Sequence, residues 1–181
     1  MFPVNFKNKF FIASGLILFA IVGRLVPHLW NMTPVAAVAI LAGSKLGLRW
    51  GMAVAFFGIF LSDLFLGFYT PMVLLSVYTC LILSGMAGYF IKKSGKILPI
   101  VSTSIFSTSF FFLVTNFAVW RWSGMYLGNL SGLWASYIAG LPFFANQIIG
   151  DLFFTVALFT VWELAVVYLK KTKLVVLADR T

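Results

Sequence analysis

Six stretches of this chain stay apolar for about the thickness of a bilayer's hydrocarbon core, and no other feature constrains the fold as much. Crossing that core takes about twenty mostly apolar residues in a helix. Residues 9–27, 33–48, 50–68, 71–91, 97–120 and 143–169 meet the requirement, the second of them only just. Backbone N–H and C=O groups find no water in hydrocarbon, so stretches of this length must satisfy themselves as helices. With 62% hydrophobic and 9% charged residues and a mean hydropathy of +1.05, a soluble globular domain is excluded. The expectation is an all-α integral membrane protein: one domain over residues 1–181, six transmembrane helices, and an outer loop at 121–142.

The basic residues orient that bundle. Lys7, Lys9, Lys45, Arg49, Lys92, Lys93, Lys96, Lys170, Lys171, Lys173 and Arg180 all fall where alternate stretches begin or end on one side, and only Arg24 and Arg121 fall on the other. Cytoplasmic loops retain Lys and Arg, so both termini are expected inside and the number of crossings even. A formal charge of +9 would point to nucleic acid in a soluble protein. Here the cations sit in short loops beside apolar spans, where membrane lipid is their partner, and nucleic-acid binding is not expected. The apolar run after Lys7 and Lys9 has no small-residue cleavage pattern, so it reads as a retained first helix rather than a signal peptide. A lone cysteine, Cys80, leaves no internal disulfide and no multi-cysteine metal site.

Local signals refine the map. The apolar part of the second stretch, Pro34 to Gly43, is short, and it crosses only if Lys45 snorkels to the interface. Gly43, Gly47 and Gly51 lie four apart, which predicts a tight hairpin of the second and third helices with close backbone approach. Pro34 and Pro71 suit first-turn positions, where a missing amide hydrogen costs nothing, and Pro142 is expected just before the sixth helix. The segment between Arg121 and Pro142 is too polar and glycine-rich to span, which predicts a short surface helix or lid. Trp30, Trp120, Trp122, Trp134 and Tyr137 cluster at that level as an interfacial aromatic belt, though the same rings can stack on a flat ligand.

Ionisable groups inside a membrane are expensive, so each requires a reason. Arg24, His28, Asn31, Asp63, Asn116, Arg121, Asn146, Gln147 and Asp151 all belong to the outer half, whereas the cytoplasmic half offers only Glu163, expected to snorkel or to pair with Lys170. The plain reading is that Asp63 and Asp151 pair with Arg24 or Arg121 and hold helices together; as a set, the groups could also line a binding cavity. Ser76, Cys80, Ser84 and Gly88 form a small-residue stripe on the fourth helix. Such a stripe either packs helices or lines a cavity with one sulfur at its base, roughly 13 Å below the outer end of the helix. Ser104, Thr108 and Thr115, and Gln147, Asp151 and Thr155, make two further polar stripes, each able to satisfy its own helix backbone. Catalytic constellations are absent: Ser84-Gly85 lacks the preceding glycine of an intramembrane serine protease, one histidine cannot supply two haem ligands, and no nucleotide-binding motif occurs. A dedicated hydrolase is not expected.

The run Thr33-Pro-Val-Ala-Ala-Val-Ala-Ile-Leu-Ala-Gly, followed by Leu-Gly-Leu-Arg-Trp-Gly and Leu-Ser-Asp-Leu-Phe-Leu-Gly, resembles the second and third helices of S-components. S-components are the substrate-binding membrane subunits of energy-coupling-factor vitamin transporters. The resemblance implies six helices around a pocket open to the outside. Gly23-Arg24-Leu25-Val26-Pro27-His28 and the lone Cys80 further resemble the BtuM-type solitary vitamin B12 transporters, in which a helix cysteine binds the cobalt of cobalamin. S-components that dock on a shared energising module typically carry Ala-x-x-x-Ala on the first helix; here Ala13 and Ala20 are seven apart, which favours a solitary protein.

On that resemblance the chain is expected to be a cobalamin-binding transporter of a bacterial cytoplasmic (inner) membrane. Cys80 would be the axial cobalt ligand and, as a thiolate, able to displace cyanide from cyanocobalamin. Asp63, Tyr78, Asn116, Asn146 and Asp151 would line or brace the cavity, with Arg24, His28 and Arg121 at its mouth. The alternatives are an S-component-like transporter for another vitamin or small precursor, with Cys80 in packing only, and a structural or assembly membrane protein.

Overall fold

Helix length decides which apolar stretches can cross a membrane. The computed structural model describes residues 6–91 and 96–178, with the side chains of Lys170 and residues 172–178 left aside. All secondary structure among them is helical: α1 Phe6–Leu25, α2 Val35–Leu46, α3 Leu48–Leu66, α4 Pro71–Phe90, α5 Ile97–Trp122 and α6 Leu130–Ala178. Five of these are long and apolar enough to cross a membrane, the make-up of a multi-pass membrane protein. The exception is α2. Its 12 residues span about 18 Å, well short of a hydrocarbon core of about 30 Å. Lys92 and Lys93, and Arg180 near the C-terminus, lie outside the described residues.

The shortest helix is the centre of the bundle. Every residue of α2 except Lys45 is buried, as expected for a helix that is apolar all round. Its small residues let neighbours close in. A methyl group on Gly43 would collide with the carbonyl oxygen of Gly85 in α4, one on Gly51 would lie 2.6 Å from the Cα of Gly43, and one on Gly88 would meet the carbonyl of Ile40. Gly43, Gly51 and Gly85 thus form a three-helix junction in which only hydrogen atoms separate the backbones. The predicted α2–α3 hairpin is present and tighter than expected. A single residue, Gly47, joins the helices at φ 112°, a conformation that disfavours any side chain. On the other side of α3, Gly58 accommodates the methyl of Ala20; Ala13 and Ala20 are both buried inside the bundle.

The end of α5 and the start of α6 differ from expectation. The predicted loop of 121–142 shrinks to Ser123–Asn129, because Leu130 already begins α6. Pro142 lies inside that helix rather than before it. Proline removes one hydrogen bond to the carbonyl four residues back, and side-chain contacts to α5 support this part of the helix: Ser136 Oγ donates to the Asn116 carbonyl at 2.9 Å and Tyr137 OH to that of Leu113 at 2.9 Å. The result is a wall, not a lid. At the lysine-rich end, Glu163 pairs with Lys45, and Lys9 Nζ donates to the Leu46 carbonyl at 2.9 Å, so the lysines also tie α1 and α6 to α2.

Candidate functional site

Because α2 is short, it leaves room above its first turn. A cavity of about 460 Å³ occupies that room, at the end of the bundle away from the lysines. Thr33, Val35 and Ala36 form its base beside α2, Val73, Val77 and Leu81 its α4 wall, and Thr115 and Asn116 its α5 wall, while Gln147 and Asp151 come from α6. Phe111, Phe112, Phe143 and Phe144 add aromatic faces, with Phe112 and Phe144 in contact at 4.7 Å between ring centroids. A few polar groups in a largely apolar hollow of this size are the make-up of a small-molecule site, whose usual range is roughly 300–1,000 Å³.

Two polar networks brace the cavity. In the first, Arg24 at the end of α1 forms an ion pair with Asp63 at 2.7 Å, and the same nitrogen donates to Ser62 Oγ at 2.7 Å and to the Ile59 carbonyl at 3.3 Å. Tyr78 OH donates to the second oxygen of Asp63 at 2.8 Å. Asp63 is buried and both its oxygens are used, so this pair fixes α1, α3 and α4 together, and only Arg24 reaches the cavity. Tyr69, in the turn between α3 and α4, also lines it. Burial pushes its phenol up to about 12, the Asp63 charge adds to the shift, and Arg24 opposes it, so Tyr69 stands as a neutral hydrogen-bonding group.

The second network joins α5 to α6. Thr108 Oγ1 donates to Asp151 Oδ2 at 2.7 Å, and Ser104 and Thr155 share a hydrogen bond of 3.2 Å below them. Gln147 also bonds the Asp151 carboxyl. The two polar stripes predicted on these helices therefore face each other, all buried. Thr108 and Thr115 additionally bond the carbonyls of Ser104 and Phe111 in their own helix. Asp151 has no ion-pair partner among the described residues; the expected pairing with an arginine occurs only at Asp63.

Of the remaining predicted site residues, Asn116 lines the cavity and donates to the Phe112 carbonyl at 2.8 Å. Asp63 and Tyr78 lie behind the wall as braces. His28 is exposed, its ring nitrogens 2.8 Å from the Leu29 carbonyl and 3.3 Å from that of Arg24. Arg121 is exposed and Asn146 half-buried, and neither lines the cavity. Tyr69, Tyr126, Thr33 and Ser136 line it without having been picked out in the sequence, where each is a single polar residue beside a helix end or a turn. Only Thr33, next to Pro34 at the start of a small-residue run, carried a local signal.

Cys80 is not at the floor of this cavity. The cavity line on α4 runs through Val73, Val77 and Leu81, centred about 60° around the helix from Cys80 at 100° per residue. Its side chain belongs to a separate, almost wholly apolar hollow of about 290 Å³ between α4 and α5, with Leu83, Phe90 and Phe106 among its walls. Those three are exposed on the apolar outside of the bundle. On the same stripe Ser84, which also lines that hollow, donates its Oγ to the Cys80 carbonyl at 3.0 Å and Ser76 Oγ donates to that of Val73 at 2.6 Å, both within α4, while Gly88 abuts α2. The expected placement of a sulfur ligand in the outer cavity is therefore not met, for a rotational reason.

No curated protein and no solved structure matches the chain. Residues 4–174 match the model of DUF6580, described as a family of unknown function. The match takes in all of α1 to α5, most of α6 and every cavity-lining residue, and the chain belongs to that family.

Proposed function

We propose that this protein is a solute-binding membrane transporter of S-component type. Its lysine-rich end faces the cytoplasm, its cavity faces outward, and it takes a compact vitamin-like or aromatic precursor molecule. The observation that carries the reading is the cavity above α2, with polar groups from α1, α5 and α6 converging on an aromatic-walled hollow opposite the basic end. In this reading α2 crosses the membrane inside its neighbours, so six helices bring both termini to the lysine side, in accord with the positive-inside rule.

A smaller ligand than cobalamin suits the geometry better. The hollow lies in the lower half of the usual range for drug-sized ligands, whereas a corrin with its nucleotide tail is larger than a drug-sized molecule. The cavity also presents no thiol to cobalt, since Cys80 belongs to the other hollow. The test is uptake of a panel of labelled vitamins and precursors by cells expressing the full chain, alongside two tryptophan variants. Val77→Trp fills the cavity and should lower uptake of the accepted compound roughly tenfold or more, from the usual penalty for overpacking. Leu75→Trp, on the exposed face of α4, should leave uptake unchanged. Uptake indifferent to Val77→Trp would refute the proposal.

A further inference from the structure

The cavity wall carries one carboxyl group without a cationic partner among the described residues. Arg24 is matched by Asp63 at 2.7 Å. The other titratable groups on the wall are the phenols of Tyr69 and Tyr126 and the carboxyl of Asp151. Asp151 is 3% exposed, and its neighbours Thr108 and Gln147 give it hydrogen bonds but no charge. Asparagine could join α5 to α6 through the same two partners without the desolvation penalty of a buried carboxylate. Neither Arg121 nor His28 reaches the cavity to compensate it.

Resting on the binding role proposed above, we infer that the ligand is an organic cation whose positively charged nitrogen is bound against Asp151. The carboxylate supplies the missing half of an ion pair, and Phe111, Phe112, Phe143 and Phe144 supply aromatic faces, which attract cations and also bury an apolar or ring-shaped body. A cation entering from the aqueous mouth meets no unmatched positive side chain on the way, because the guanidinium of Arg24 is already engaged by Asp63, Ser62 and the Ile59 carbonyl.

The experiment uses the purified full chain in lipid nanodiscs and three probes of one shape class: benzyltrimethylammonium, its neutral carbon isostere, and phenylacetate as the anion. Benzyltrimethylammonium is expected to raise the melting temperature and the other two to leave it unchanged. Val77→Trp should abolish the shift, placing the probe in the cavity. Asp151→Asn should weaken the cation by on the order of 100-fold, the usual cost of removing one partner of a buried charge pair. The ranking of the probes on the unmodified chain decides the matter even where Asp151→Asn does not fold. No stabilisation by the cation, equal stabilisation by the isostere, preference for phenylacetate, or an Asp151→Asn variant of undiminished affinity each overturns the inference. Stabilisation by the isostere or phenylacetate that disappears in Val77→Trp would remove the cation while leaving the binding role intact; failure of that role would show instead in the uptake assay with Val77→Trp.

Discussion

Replacing Arg24 by methionine should be among the most damaging single changes in the molecule. One guanidinium nitrogen holds the Asp63 carboxylate, the Ser62 hydroxyl and the Ile59 carbonyl, and Asp63 is 1% exposed. Without Arg24 the carboxylate keeps only the Tyr78 hydroxyl. An unpaired buried charge costs about 3–5 kcal/mol. Asp63→Asn should cost less, about 1–3 kcal/mol, because the Arg24 side chain is 16% exposed at the cavity edge and can draw on water there. Tyr78→Phe removes a single interhelical hydrogen bond and should cost about 0.6 kcal/mol, the average for such bonds in membrane bundles. The decisive measurement is a double-mutant cycle of Arg24→Met with Asp63→Asn, read by equilibrium unfolding in mixed micelles. A coupling energy of about 2 kcal/mol is expected, since the double variant leaves no bare charge. Additive losses, or a Tyr78→Phe loss as large as that of Arg24→Met, would refute the argument that the Arg24–Asp63 charge pair fixes α1 to α3 beyond what packing supplies.

Other consequences are equally accessible. Gly85→Ala places a methyl against the Gly51 carbonyl, so it should prevent stable expression or cost several kcal/mol, whereas Gly15→Ala, with open space around it, should stay within about 0.5 kcal/mol of the unmodified chain; thermal melting of both checks this. Cys80→Ala should leave cavity binding unchanged, and cyanocobalamin mixed with the unmodified chain should keep its ordinary absorption spectrum; a shifted corrin spectrum that Cys80→Ala abolishes would restore the cobalt reading. Tyr69 should resist ionisation in an alkaline absorbance titration. With its folded value raised to about 12 from 10.0, the stability tied to its neutral form is fully present below pH 10 and is lost as the pH rises through 12, and Tyr69→Phe should flatten that part of the profile.

The legible parts of the molecule were those written as spacing. Glycines four apart at 43, 47 and 51 announced the α2–α3 hairpin, and polar residues at helical intervals on α5 and α6 announced two stripes that prove to face each other. Rotation was not legible. Small residues at 76, 80, 84 and 88 fix a face of α4 but not which neighbour it meets, and a turn of about 60° separates Cys80 from the centre of the cavity line. Pairing had the same ambiguity. Asp63 and Asp151 look alike in sequence, and only the close approach of α1 to α3 decides which one Arg24 reaches. The start of α6 was missed because glycines at 132 and 140 read as loop residues, although they serve close contact instead: the first abuts the Leu127 backbone and the second the Asn116 side chain.

The enclosure of α2 bears on how the chain enters a bilayer. A newly made helix is retained in lipid through its own apolar length and surface, and α2 has about 18 Å of length and, once folded, almost no surface of its own turned to the outside. Its retention must therefore depend on company, first on α3 through the one-residue joint at Gly47 and then on α4, whose Gly85 and Gly88 close over it. The floor of the cavity is consequently completed only after the fourth helix has been synthesised, and truncating the chain before α4 should leave α2 stranded at the membrane surface.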